Sequence, residues 1–232
     1  MTGQTITLAG PGGSFSAYLA SPESGRGPGL VLLQEIFGVN AAMRELAGDY
    51  AAAGFFALVP DLFWRLEPGV ELSDKTEAEW QQAFALMKRF DPVAGLADIQ
   101  AAISHLRLQP VVNGHVGAVG YCLGGFLAYR TATHTDVDAA VGYYGMNIEK
   151  YLSEAAKITH PLMLHVAGKD EYHPPAAQAK VAAGLKDNPL VTIHTYPDAN
   201  HAFARPGGAH YDEACARLAN ERTIAFFHQH LN

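Results

Sequence analysis

The sequence predicts one α/β domain built on a mainly parallel, doubly wound sheet with helices on both faces. Three observations predict it. Short apolar runs of strand length alternate almost throughout with longer helical segments. Some of these runs are apolar without a break, as strands covered on both faces require. The 232 residues contain no Ser/Gly linker, charge block or internal repeat that would divide them, so a single domain with a sizeable core is expected over 1–232.

Thr5–Leu8 and Phe15–Leu19 read as short strands joined by the turn-rich Gly10-Pro11-Gly12-Gly13, an opening hairpin. Gly29–Gln34 is a continuous apolar strand, followed by a helix over about Ala41–Ala53 and a strand at Phe55–Val59 that ends at Pro60-Asp61. Leu62–Ser73, with Trp64, Arg65 and Pro68, reads as an irregular loop. Helices are expected over about Asp74–Phe90 and Pro92–Leu108, with Pro92 suited to a first helical turn. His115–Gly120 is the central strand. Val137–Tyr144, Pro161–Ala167 and Val191–Tyr196 are three further strands with helices between them, and a helix over Tyr211–Gln229 closes the chain.

Composition excludes several function classes. A net charge of −7 with no basic cluster argues against nucleic-acid binding. Two cysteines, Cys122 and Cys215, imply no disulfide framework. The start of the chain, Met1 to Ile6, has neither a charged nor an apolar signal region, and the longest apolar stretches are too short to span a bilayer. A cytoplasmic, reducing location is expected, which suits a working thiol.

The most informative segment is Gly120-Tyr121-Cys122-Leu123-Gly124, between the apolar strand Val116–Val119 and an apolar helical segment. Strand, tight turn and helix with a nucleophile at the tip form a nucleophile elbow. Small residues two positions to either side let strand and helix approach, and Gly120 and Gly124 meet that need. At a helix N-terminus, unpaired N–H groups and the helix dipole favour the thiolate. The competing reading is an inert, buried structural cysteine.

Ligands of a parallel sheet bind at the carboxyl ends of its strands. After Gly29–Gln34 comes Glu35, after the central strand Cys122, after Pro161–Ala167 Asp170, and after Val191–Tyr196 His201. Nucleophile, acid and base thus follow in the chain order of α/β-hydrolases. His201 is the expected base and Asp170 the group that orients it. Glu171 and Asp198 are rival acids, and His173 and His194 rival bases, while Asp170 could instead cap the helix near Pro174. A carboxylate at the end of a buried strand needs a partner, so Glu35 either approaches the thiol or turns outward. The backbone N–H groups of Leu123 and Ile36 are the expected oxyanion donors.

These residues resemble the dienelactone hydrolase (carboxymethylenebutenolidase) family nearly end to end. The motifs are Gln34-Glu35-Ile36-Phe37-Gly38, Gly120-Tyr121-Cys122-Leu123-Gly124-Gly125, Gly142-Tyr143-Tyr144-Gly145, Gly168-Lys169-Asp170 and His201-Ala202-Phe203-Ala204-Arg205. The resemblance implies an α/β-hydrolase fold and hydrolysis of unsaturated cyclic esters by a Cys122-His201-Asp170 triad. It implies that Glu35 contacts the resting thiol and releases it when substrate binds, that Arg205 holds the substrate carboxylate, and that Tyr144 joins the substrate-binding set. One departure concerns the substrate. Where the well-known lactonases carry an Arg and, four residues on, a Tyr, this chain has Trp80 and Phe84. They line an apolar wall for a less charged or bulkier acyl group, or are simply helix core. Arg65 and Lys88 are the cations that could compensate.

No metal or other cofactor is expected. Eleven histidines form no H-x-x-x-H pair on a suitable scaffold, His228-Gln229-His230 falls at an end expected to fray, and His165 reads as a satisfied core residue. Gly10–Gly13 lacks the Lys-Ser/Thr of a phosphate loop, and Cys215 reads as structural. The expectation is a cysteine-dependent hydrolase of lactones or esters acting through an acyl-thioester on Cys122. Its partner is a small-molecule ester or lactone, with no nucleic acid and no membrane, and a monomer fits this reading. A broad carboxylesterase or thioesterase, or a non-catalytic binder of the same fold, are the alternatives.

Overall fold

The opening hairpin pairs β1 (Gln4–Gly10) with β2 (Gly13–Ala20) antiparallel, Leu8 facing Phe15 across the turn. These are the first elements of a computed structural model that describes residues 3–232; Met1 and Thr2, part of the N-terminal stretch expected to hold no signal region, lie outside them. Six more strands follow: β3 (Gly27–Leu33), β4 (Phe56–Pro60), β5 (Val112–Tyr121), β6 (Ala139–Tyr143), β7 (Leu162–Ala167) and β8 (Val191–Tyr196). They form one sheet in the order β1-β2-β4-β3-β5-β6-β7-β8. Only the β1–β2 and β2–β4 pairs are antiparallel, and the other five are parallel.

The helices are α1 (Ala41–Ala52), α2 (Glu77–Arg89), α3 (Pro92–Arg107), α4 (Leu123–His134), α5 (Pro175–Leu185) and α6 (Glu213–Leu231). α1 and α6 share one face. There Tyr50 of α1 meets the hydroxyl of Tyr121 at 2.9 Å, and Tyr143 meets Thr223 of α6 at 2.6 Å. α3 and α4 cover the other face. β3, β6 and the Val116–Tyr121 half of β5 are apolar because both of their faces are covered, which is why they read as unbroken runs.

The strand order reverses at β3. From it the chain steps outward to β4 and later returns to β5 on the other side, so β3 and β5 are neighbours whose following loops diverge. That is where a doubly wound sheet opens a crevice. The register pairs Leu33 with Gly120, which sets Gln34–Ile36 beside Cys122.

Several boundaries shift by a few residues from the sequence reading, and three of the differences have a clear physical reason. β6 stops at Tyr143, and Tyr144 leaves the strand at φ 39°. α2 begins at Glu77 rather than near Asp74, because Thr76 caps it: Thr76 Oγ1 accepts from Glu79 N–H and donates to the Glu79 carboxylate at 2.7 Å, the sequence pattern of a capping box with the carboxylate reaching back to Ser73 N–H at 2.8 Å. α6 does not fray over His228–His230. Leu231 is fully buried, its carbonyl accepts from Asn113 at 2.8 Å, and His228 and His230 pack on Phe55 and Phe226. No described helix is long and apolar enough to cross a membrane.

Candidate active site

β5 ends at Tyr121 and α4 begins at Leu123, so Cys122 alone makes the turn. Its φ of 56° and ψ of −112° are unusual for a side chain with a Cβ, a strain of about 1–3 kcal/mol. Cys122 N–H donates to Tyr143 O at 3.1 Å, and its carbonyl accepts from Phe126 N–H at 3.2 Å, which holds the conformation. A Cβ on Gly120 would collide with the Gly124 carbonyl, and one on Gly124 with the Leu33 carbonyl. The strand-to-helix approach therefore admits only glycine at both positions. Two of the other non-glycine residues at positive φ, Tyr144 and Ala202, also flank the site.

Leu123 is the first residue of α4, so its N–H has no carbonyl one turn back to bond. The N–H of Ile36, in a buried residue just past β3, has no acceptor among the described residues either. Ile36 and Cys122 line one cavity, and Leu123 follows Cys122 directly in the chain.

Asp170 follows β7 and His201 follows β8, and the Asp170 Oδ2–His201 Nδ1 distance is 2.7 Å. The other Asp170 oxygen accepts from Tyr172 N–H at 2.9 Å and His173 N–H at 3.2 Å. A carboxylate can only accept, so Nδ1 carries a proton and Nε2 is left for Cys122. Burial disfavours the His201 imidazolium, but the charge of Cys122 and the hydrogen bond to Asp170 outweigh it and raise the group to about 10. The rivals lie elsewhere. Glu171 is exposed, Asp198 is exposed and paired with Lys169 at 2.9 Å, His194 stacks on His165 along β8, and His173 is held behind Asp170. Asp170 closes the turn through Tyr172 and His173 but does not cap the helix near Pro174, whose N-cap receives no side-chain hydrogen bond.

Glu35 is buried, 3% exposed, and does not turn outward. Its partner differs from the expectation of a thiol contact. Arg205 Nε donates to Oε2 at 2.6 Å and Nη2 donates to Oε1 at 3.1 Å. A bidentate guanidinium satisfies a buried carboxylate better than a neutral thiol can, which accounts for the preference. Arg205 is thus not a free anchor for a substrate carboxylate. Its Nη1 donates to Asp74 Oδ2 at 2.7 Å, and its guanidinium lies 5.0 Å from the Phe37 ring. Burial opposes the arginine's charge, but Glu35 outweighs this and raises it further. Asp74 escaped the sequence reading because it was placed in the first turn of a helix. The Thr76-x-x-Glu79 capping box was the signal that sets it outside.

Trp80 and Phe84 are not helix core. Phe84 is 40% exposed, stacks on Trp80 at 5.4 Å, and Trp80 in turn meets the Phe37 ring edge-on at 5.0 Å. With Met87, one turn further along α2, and with Ile36 and Met146, they wall the cavity that contains Cys122 and His201. That cavity holds only about 20 Å³, room for one water. Arg65 bonds Asp98 and Pro11 at 2.7 Å and Lys88 is exposed on α2, so neither replaces a polar anchor there.

The Tyr144 ring lies edge-on to His201 at 5.1 Å. Its hydroxyl is buried without a hydrogen-bond partner among the described residues. Burial and the nearby Glu35 charge push the phenol well up, so it stays a donor. Among the described residues no three His, Cys, Asp or Glu side chains are placed to share a metal ion. His165 is satisfied on both sides, by Tyr196 and Thr223 at 2.9 Å each.

The dienelactone hydrolase family model matches residues 15–231. An Azospirillum brasilense protein provisionally designated a carboxymethylenebutenolidase is 49% identical over 234 residues, covering 96% of each chain. The carboxymethylenebutenolidase of Pseudomonas putida is 43% identical over 215 residues, 93% of this chain and 91% of that one. A Klebsiella pneumoniae protein crystallised as a provisional dienelactone hydrolase superposes with a TM-score of 0.87 at 25% identity, covering 98% of each chain.

Proposed function

The chain belongs to the dienelactone hydrolase family of α/β-fold hydrolases, and from that premise we propose that it hydrolyses lactones and esters through a thiolate at Cys122. The observation that carries the mechanism is the strained Cys122 turn facing a His201 that Asp170 orients at 2.7 Å. The thiol proton rests on His201, which leaves a thiolate at Cys122. The Cys122 sulfur attacks the carbonyl carbon, and the π electrons move onto oxygen, where the N–H groups of Leu123 and Ile36 receive them. As the tetrahedral species collapses, the ester oxygen leaves with the His201 proton and an acyl-thioester remains. In a lactone the leaving alcohol stays tethered to the acyl chain.

Acylation removes the sulfur's negative charge. His201 then loses the interaction that kept it protonated, and burial favours the neutral imidazole that deacylation needs. Neutral His201 takes a proton from water, the hydroxide oxygen attacks the thioester carbon, and the Cys122 thiolate departs. The product is a carboxylic acid. Tyr144, with its unpaired hydroxyl, serves as a further donor to bound substrate. Trp80 and Phe84 pack on the acyl portion.

Two observations favour a broader carboxylesterase as the second reading: the aromatic wall and the commitment of Arg205 to two carboxylates. Turnover of a panel of dienelactones, saturated lactones and neutral aryl esters tests both. Cys122→Ala is expected to lower kcat/KM by at least about a thousandfold on every substrate the wild type accepts, and mass spectrometry of the wild type should trap an acyl adduct on Cys122. Wild-type rates in Cys122→Ala would end the thiolate mechanism. A wild type inert to the whole panel, with a folded site, would favour the non-catalytic binder.

A further inference from the structure

Arg205 is the one arginine among the described residues lining the cavity with Cys122, and it faces two carboxylates. Glu35 occupies the Nε–Nη2 edge and Asp74 holds Nη1 at 2.7 Å. All three side chains are shielded from solvent, with side-chain exposures of 8% for Arg205, 4% for Glu35 and 11% for Asp74. The cluster therefore carries one negative charge in excess, in a place where water screens little. Of the three, Arg205 alone lines the cavity of Cys122, and Asp74 lines the neighbouring cleft beside Lys75, so the carboxylates act on an incoming substrate through what they leave of the Arg205 charge. Asp74 is placed there deliberately by its loop. The Trp80 indole N–H donates to the Asp74 carbonyl at 3.0 Å, and the capping box starts α2 two residues later.

From this geometry we infer that Asp74 is a specificity-determining residue: by neutralising what Arg205 would offer an anion, it biases the Cys122 site toward uncharged esters and lactones. Glu35 alone would balance Arg205 and leave Nη1 free to receive a substrate carboxylate. With Asp74 present, a substrate carboxylate would be the third on one guanidinium. Asp74 touches Arg205 rather than the reacting atoms, so it acts by position and charge. The apolar wall of Phe37, Trp80, Phe84 and Met87 acts in the same direction, since it offers no polar group to an anion. The inference rests on the proposed use of Cys122 as a nucleophile.

The test separates charge from structure and turnover from binding. Cys122 is alkylated with iodoacetamide and with iodoacetate, and the two rates are compared by intact mass in the wild type, Asp74→Asn and Asp74→Glu. In parallel, kcat/KM is measured for p-nitrophenyl acetate and for the mono-p-nitrophenyl ester of succinic acid. Asp74→Asn is expected to raise the anionic-to-neutral ratio about tenfold in both assays, at ordinary buffer strength, through KM in the ester assay. Asp74→Glu, which keeps the charge, should restore the wild-type ratio. A ratio unchanged within twofold in Asp74→Asn, or one relaxed equally by Asp74→Glu, overturns the inference and assigns Asp74 a merely structural role. If the alkylation ratio shifts while no ester is turned over, the charge bias stands and the hydrolase reading falls. If esters are turned over while neither ratio shifts, the reverse holds.

Discussion

Burial alone would keep His201 neutral, yet it holds its proton up to about 10 because Cys122 and Asp170 both favour the charged ring. That value lies above the ordinary histidine range, so the imidazolium persists at neutral pH and is lost only as pH rises through about 10. Removing the sulfur leaves Asp170 alone against burial. In Cys122→Ala the His201 titration, followed by NMR, is therefore expected to move to lower pH; an unmoved midpoint would show that Cys122 is not the histidine's charge partner. Cys122, Asp170 and His201 were legible in the sequence because each ends a strand and their order along the chain is informative. The partners of Arg205 were not. Glu35 lies 170 residues away and Asp74 131 residues away, and no periodicity reports an ion pair at that distance.

α2 carries the aromatic wall, and its amphipathic pattern was legible as a helix without revealing what its apolar face would cover. Trp80, Phe84 and Met87 sit at helical spacing, the same spacing that a buried core stripe has, so the sequence left pocket and core undivided. The distinction depends on where the preceding loop delivers the helix. That loop is tied by Gln34, whose side-chain oxygen accepts from Leu62 N–H at 3.0 Å, and by Asp61, which accepts from Phe63 and Gly69 N–H at 3.0 and 2.8 Å. Trp80→Ala removes the contacts to Phe37 and Phe84. It is expected to cost about 1–3 kcal/mol of stability and to raise kcat/KM for bulky aryl esters several-fold while changing the acetate ester little. Thermal unfolding and a chain-length series of esters check both parts, and a uniform fall across the series would return Trp80 to a structural role.

Across the whole molecule, the sheet places the proposed site and a structural ion-pair cluster at opposite ends. Cys122, Asp170, His201 and Glu35 all follow the carboxyl ends of parallel strands, an arrangement that the alternation of apolar runs and helices already implied. At the opposite end Arg107 of α3 gathers the strand beginnings: it donates to Asp136 at 2.6 Å, to Asp138 at 2.8 Å and to the Gly114 carbonyl at 3.2 Å. Arg107→Ala is expected to lower stability by about 2 kcal/mol, seen as a Tm fall of roughly 4–8 °C, with kcat/KM unchanged. A matching loss of activity would mean that the two ends are coupled. The 20 Å³ cavity over Cys122 has a consequence of a different kind. A site that closes on itself admits a large ester only while its wall is displaced, and displacing a wall of side chains means pushing solvent aside. Its pace is then set by friction. For bulky esters kcat/KM is expected to fall in step with the viscosity of added sucrose, whereas for the small acetate ester, bond making keeps the rate indifferent to how thick the medium is.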